Sequence, residues 1–333
     1  MESNSQLEKI NNVCLVIIAI TAVTMALVFT RQILVPFVIS FFIFSILSPF
    51  INWFEKKLKV PHFIALSVTI LIFLIFFTII FFFLGSSISE FFQSTTIYKE
   101  KVISSYHKIS EILSSKGVDI RSFSLVPYFK ELPLFSWANN ITGSLFSFVG
   151  NSALVVVFII FLILGRNKVE QSNELVEQIQ IKIGRYIGTK LITSVSTGLL
   201  IMILLGVCRV ELAFMFGVVT ILLNFIPNIG SLFAVVLPLP IVLLQFGFGW
   251  QFYVVLIVSS LIQFAIGNII EPQMVGESMD LHPIIILIFL MFWGMVWGVP
   301  GMFMAVPITA ILKIVFSRIE TTKKLSELLA GRF

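Results

Sequence analysis

The sequence predicts an all-α integral membrane protein with about eight transmembrane helices, short half-helices broken by Gly and Pro, and a small extracytoplasmic helical insert. Three observations carry this. First, 58% of the 333 residues are hydrophobic, 36 of them Phe, and only 12% are charged. A soluble domain carries about a quarter charged residues, and a chain this apolar would expose large greasy patches to water. Second, the apolar residues form solid runs, as in LSVTILIFLIFFTIIFFFLG from Leu66 to Gly85, not the alternating stretches of an outer-membrane barrel. Third, many runs approach the length of about 20 residues that crosses a bilayer, where only a self-satisfied backbone such as a helix is tolerated.

Taken in chain order, the expected spans are 13–30, 33–51, 63–85, 143–165, 191–208, 211–226, 230–247 and 251–270. The first is read as retained: Glu2, Glu8 and Lys9 precede it, and no small-residue cleavage site follows. The last apolar stretch, 284–316, is too long for one straight span, and Gly298-Val299-Pro300-Gly301 divides it into two short helices. Between the spans, 86–142 reads as an extracytoplasmic amphipathic insert. Residues 166–190 read as a cytoplasmic amphipathic helix, with Leu175, Val176, Ile179, Ile183 and Tyr186 on one face. The organisation is therefore 1–85, N-terminal spans; 86–142, insert; 143–190, one span and the cytoplasmic helix; 191–316, C-terminal membrane core; and 317–333, cytoplasmic tail.

Orientation follows from the basic residues. Lys56, Lys57 and Lys59 follow the second span. Arg166, Lys168, Lys182, Arg185 and Lys190 follow the fourth. Lys313, Arg318, Lys323, Lys324 and Arg332 close the chain. The positive-inside bias assigns these clusters, and with them both termini, to the cytoplasm.

Two breaks share a pattern. NFIPNIGSLFAVVLP (224–238) and WGVPGMFMAVP (297–307) each carry Pro, Gly, three residues, Ala-Val and another Pro. The predicted topology puts the turns on opposite faces, as an inverted repeat would, although chance recurrence in apolar sequence gives the same pattern. Proline removes an N–H and frees a carbonyl, which a membrane tolerates only inside protein or beside water. Pro227, Pro238, Pro240, Pro300 and Pro307 thus mark irregular backbone, with Gly230 and Gly301 at the turns and Asn224 and Asn228 supplying amides. Plain kinks with interhelical contacts are the competing reading.

A further break, EPQMVGESMDLHP (271–283), holds three carboxylates and a histidine. Gln263, Asn268 and Glu271 fall near one face, Asn268 and Glu271 at i and i+3, and Pro272 is expected to end the helix. A carboxylate at membrane depth is a functional candidate because a bare charge there costs about 3 kcal/mol. Glu271 therefore reads as a proton carrier or cation contact, with Asp280 and His282 assisting. The alternative is a solvated carboxylate at the interface.

Other classes find no support. The net charge of +5 is spread over several loops, so no nucleic-acid partner is expected. Cys14 and Cys208 form no ligand spacing, and His62, His107 and His282 form no metal pair. No nucleophile elbow or phosphate loop occurs, so neither catalysis nor a cofactor is expected.

The blocks VPFVISFFIFSILSPFINWFEKK, LLNFIPNIGSLFAVVLPLPIVLL and GNIIEPQMVGESMDLHPIIILIFLMFWGMVWGVPGMFMAVPITAILKI resemble the autoinducer-2 exporter family of bacterial membrane proteins. The similarity runs over nearly the whole chain and is most specific at Asn224-to-Gly230 and Asn268-to-Pro307. It implies export of a small furanone signal in some members, sodium or lithium/proton antiport in others, and a homo-oligomer. The resulting expectation is an inner-membrane exporter of a small polar solute, working by alternating access around the broken helices. The alternatives are a cation/proton antiporter and a non-transporting scaffold acting through 86–142.

Overall fold

The computed structural model describes residues 2–61, 63–73, 75, 78–80, 82–83, 85–86, 154–162, 174–275 and 280–332. No strand occurs among them, so the all-α membrane architecture holds. The expected insert 86–142 lies almost wholly outside the described residues, and of the fourth expected span only 154–162 is described, as helix. The chain divides into two compact units: residues 1–49, 151–187 and 277–333 form one, and 50–150 with 188–276 the other.

Helix α1 (Glu2–Phe29) and helix α2 (Arg31–Leu58) are separated by Thr30 alone. The expected spans 13–30 and 33–51 do not form a hairpin, because the helix axis turns through 81° there. The Thr30 hydroxyl donates to the Ala26 carbonyl at 2.6 Å, closing the end of α1. Leu15, Ile18 and Phe29 of α1 are all more than half exposed, the inverse of a soluble surface and suited to lipid. Thr21 and Thr24 hide their hydroxyls by donating to the carbonyls of Ile17 and Ile20. A second apolar segment, Phe63–Ile80, is long enough to cross a membrane.

Helix α3 (Glu174–Val207) is one continuous helix of 34 residues. At about 1.5 Å per residue it is roughly 50 Å long, against a hydrocarbon core of about 30 Å. The amphipathic helix expected at 166–190 is therefore no separate element from 174 onward but the overhang of a span. Ile183, Tyr186 and Ile187 on it are buried.

Next come α4 (Ala213–Leu223), α5 (Ile229–Val236), α6 (Leu239–Phe246) and α7 (Trp250–Phe264). A π-helical turn, Ala265–Ile270, leads from α7 into α8 (Glu271–Val275). The last elements are α9 (Pro283–Trp297), α10 (Val299–Arg318), a 3₁₀ turn at Glu320–Thr322 and α11 (Lys323–Leu329). Five described helical segments are long and apolar enough to cross a membrane, six if α1 and α2 count as one bent span. The expected number of about eight is not reached among the described residues, since α4 and α9 have 11 and 15 residues and stop short. The segment 317–333, expected as a tail, folds instead: α11 packs beside α10, and the Leu329 carbonyl accepts from His282 N–H at 3.1 Å.

The prolines differ in role. Pro240 and Pro300 sit in the first turn of α6 and α10, where no donor is needed. Pro307, expected to mark irregular backbone, lies inside an uninterrupted α10. Pro272 does not end its helix either, since it is the second residue of α8. The wider π turn just before it takes up the register that a proline disturbs.

Two helical hairpins are built on a glycine with no room for a side chain. In α4–α5 a Cβ on Gly230 would lie 1.8 Å from the Leu223 carbonyl oxygen. In α9–α10 a Cβ on Gly301 would lie 2.0 Å from that of Trp293. Ala234 and Ala305, four residues beyond each glycine, are fully buried. The common spacing thus corresponds to a common local device within each unit. The turns reverse through Asn228 (φ 60°) and Gly298 (φ 69°), left-handed conformations that Asn and Gly adopt most readily. Gly301→Val should therefore lower the thermal midpoint in detergent by several degrees, the mark of a loss of about 2 kcal/mol or more. An unchanged midpoint would contradict this packing.

Candidate functional site

The unit containing residues 188–276 carries a polar face inside apolar helices. On α3, Lys190, Thr193, Ser194 and Thr197 recur at i, i+3, i+4 and i+7, which is one helical face, and all four are buried. Thr193 and Thr197 return their hydroxyls to the carbonyls of Lys190 and Thr193. Ser194 does not: its hydroxyl has no partner among the described residues. On α7, Ser259 and Gln263 stand one turn apart, both buried, and Ser259 Oγ and Gln263 Nε2 are also without partners among the described residues. An unsatisfied buried polar group costs about 1–3 kcal/mol, so three of them call for a reason beyond packing.

The strongest feature of this unit is an ion pair. Lys190 Nζ donates to Glu271 Oε1 at 2.6 Å, with the side chains 6% and 23% exposed. Lys190 lies within the apolar span Ile181–Val207 and Glu271 within Trp250–Met274. By sequence Lys190 counts with the cytoplasmic basic residues after the fourth span. The structure makes it the counter-ion of the sequence-predicted carboxylate. The signal that could have found it is that, of the three cations in the 27-residue span, Lys182, Arg185 and Lys190, it alone directly precedes the uncharged run 191–207. A charge at that depth is expensive alone and tolerable in a close pair.

The π turn sets the position of Glu271. The ordinary i, i+3 relation no longer holds across it, so Asn268 is exposed while Glu271 turns toward Lys190. Of the three residues expected on one face, Gln263 is buried, Glu271 pairs with Lys190 and Asn268 is exposed. Single π turns recur at functional sites, where they shift one side chain out of register.

The other sequence-predicted residues fall in two places. Asn224 closes α4, Pro227 and Asn228 form the turn, and Gly230 opens α5. The Asn224 and Asn228 side chains make no hydrogen bond among the described residues. Pro300 and Gly301 belong to the α9–α10 hairpin of the other unit, as do Asp280 and His282.

Asp280 and His282 have local duties. Lys313 Nζ binds the Asp280 carboxylate at 2.6 Å and also its carbonyl, and Arg332 reaches the same carboxylate at 3.3 Å. The hydrogen bond from Lys313 holds the Asp280 carboxyl below the usual carboxylate range, against the opposing effect of partial burial. A depressed value means that this anchor is in force above the ordinary carboxylate pKa and fails only as pH falls through the lowered one. His282 caps α9, its Nδ1 accepting from Ile284 N–H, and Gly331 packs against its ring. No group of three or more His, Cys, Asp or Glu able to hold a metal occurs among the described residues.

Comparison with known proteins sets this geometry in context. A family model described as AI-2E family transporter matches residues 15–321. A Haemophilus influenzae protein named for transport is 29% identical, over 99% of this chain and 98% of its own length. The AI-2 transport protein TqsA of Escherichia coli K12 is 26% identical, over 91% of this chain and 90% of its own.

The ion pair generates a stability prediction. Glu271→Gln strands the Lys190 ammonium in an apolar setting and should destabilise the protein by about 3 kcal/mol in a denaturant titration in micelles. Adding Lys190→Met should restore most of that loss. A double variant as unstable as the single one would show that the two charges do not depend on each other.

Proposed function

We propose, from the premise that this chain belongs to the AI-2E family of transporters, that it moves a small polar solute past the polar faces of α3 and α7, gated by Lys190 and Glu271. The chain is a multi-pass membrane transporter of bacterial type; the route, substrate and coupling are the proposal. The observation that carries it is the part-buried ion pair together with Ser194, Ser259 and Gln263, unpartnered among the described residues. A helix bundle that only anchors a protein gains nothing from such groups, whereas a passing solute with hydroxyl or carbonyl groups satisfies them in turn.

The gate works by charge. With Glu271 ionised, the pair closes and binds α3 to α8 at 2.6 Å. Protonation of Glu271 removes one charge and loosens the pair, and the π turn at Ala265–Ile270 supplies irregular backbone able to reseat in a new register. Export would follow if Glu271 takes up its proton from the outer side as solute leaves. The name of TqsA, an AI-2 transport protein, makes autoinducer-2 the solute to try first, and a site of hydroxyls and amides suits a small polar solute.

Sodium or lithium antiport has less support, because the carboxylate a cation would need is already occupied by the Lys190 ammonium. Both termini on the cytoplasmic side and assembly into a homo-oligomer complete the reading.

Flux in proteoliposomes tests it. Autoinducer-2 efflux should accelerate under an imposed pH gradient, and Glu271→Gln, in protein that remains folded, should lose that acceleration while keeping a slower downhill flux. A Glu271→Gln variant with unaltered pH dependence would remove the coupling role, and sodium-dependent proton flux without solute movement would favour the antiporter.

A further inference from the structure

We propose that the unit containing the C-terminus holds a site for the phosphate headgroup of an anionic lipid, in a cleft formed where α11 folds back against α10. The cleft has a volume of about 310 Å³. Lys182, Lys313, Lys323 and Arg332 line it, against two carboxylates, Asp280 and Glu327. Two positive charges are therefore in excess.

The four cations are not equivalent. Lys313 and Arg332 are engaged by Asp280, which leaves Lys182 and Lys323 with no hydrogen bond or ion pair among the described residues. Lys182 comes from the overhang of α3 and Lys323 from the first turn of α11, so the two free ammonium groups enter from separate elements. The hydrogen bond and charge of Lys313, with the charges of Arg332 and Lys182, all favour ionised Asp280. Two unpaired lysines with a held Lys–Asp–Arg cluster between them make a ready-made cradle for a phosphate diester.

The remaining lining decides between sources of phosphate. Ala310 and Ile314 of α10, and Ala330 beyond α11, give the cleft an apolar wall. Ala310 and Ile314 are buried within α10, an apolar span of 20 residues, so the cleft lies at the end of a membrane-crossing segment, where an acyl chain has apolar surroundings. A soluble phosphate has no use for it, whereas a phospholipid occupies the cradle and the wall together. The end of α10 that carries Lys313 and Arg318, followed by Lys323 and Lys324 at the start of α11, is also the end that positive-inside bias assigns to the cytoplasmic leaflet, where basic pockets between helices attract anionic lipid. A bound lipid would fasten α11 to the ends of α10 and α3, three pieces of one unit. This site is independent of the solute route proposed above.

The test uses the full-length protein in neutral detergent micelles, titrated with phosphatidylglycerol or phosphatidylcholine while its thermal midpoint is followed. Phosphatidylglycerol should raise the midpoint saturably and phosphatidylcholine should not. The double substitution Lys182→Gln/Lys323→Gln should weaken the half-saturating concentration about tenfold or more, at roughly a few-fold per lysine. Lys182→Arg/Lys323→Arg should retain binding, as should Lys324→Gln, which alters a basic neighbour outside the lining. Native mass spectrometry of the wild-type protein should show retained phosphatidylglycerol even if the Gln pair folds poorly. Equal effects of the two lipids, or an unchanged half-saturation in the Gln pair, would overturn the site. If inorganic phosphate alone reproduces the full stabilisation, the cleft is an ion site and the lipid assignment falls.

Discussion

The ion pair between Lys190 and Glu271 is the constraint on which the rest of this membrane core depends. The two residues are 81 positions apart, yet neither charge could remain within its apolar helix without the other. Their contact fixes α3 against α8 and accounts for the π turn that brings Glu271 into reach. Among the described residues, polar side chains divide into two kinds. Thr21, Thr24, Thr197 and Thr309 return their hydroxyls to their own helix and are neutral passengers in an apolar setting. Ser194, Ser259 and Gln263 are buried with polar atoms left over, and they lie in the unit that holds the pair.

That unit is held by contacts that leave little slack. Gly198 on α3 and Gly217 on α4 meet backbone to backbone: a Cβ on either would lie within 3 Å of the other's carbonyl oxygen. Small residues let helices approach this closely in lipid, where packing replaces the hydrophobic drive available in water. Below the crossing, Ile201, Leu205, Phe216, Val242 and Val255 form a dry cluster. A rigid apolar wall beside a polar face is the arrangement a solute route requires, because it confines both movement and water to the face that can satisfy them.

Much of this was legible in the residues. Composition and solid apolar runs specify a helical membrane protein with little room for another class. Proline and glycine spacing picked out Gly230 and Gly301, two positions with no space for a Cβ, and the polarity contrast picked out Glu271. What escaped has a common cause, namely that local pattern carries no information about pairing between distant elements. Lys190 reads as a loop charge until its partner is known. Pro272 reads as a stop because a π turn has no clear local signature. Asp280 and His282 read as part of the Glu271 group by proximity in sequence. Yet each is engaged by the folded C-terminal segment: Asp280 by Lys313 and Arg332, His282 by Leu329 and Gly331. The right-angle turn at Thr30 likewise follows no Gly or Pro signal at the break itself.

The central claim is that the polar face of α3 and α7 meets water and solute during transport. Thiol accessibility tests it most directly. In a background lacking Cys14 and Cys208, Ser194→Cys and Gln263→Cys are introduced singly, and their reaction with a membrane-impermeant thiol reagent is followed in sealed proteoliposomes. The account predicts labelling of both, slowed when the transported solute is present. Failure of both to react from either side of the membrane, in protein that still carries out transport, would contradict it.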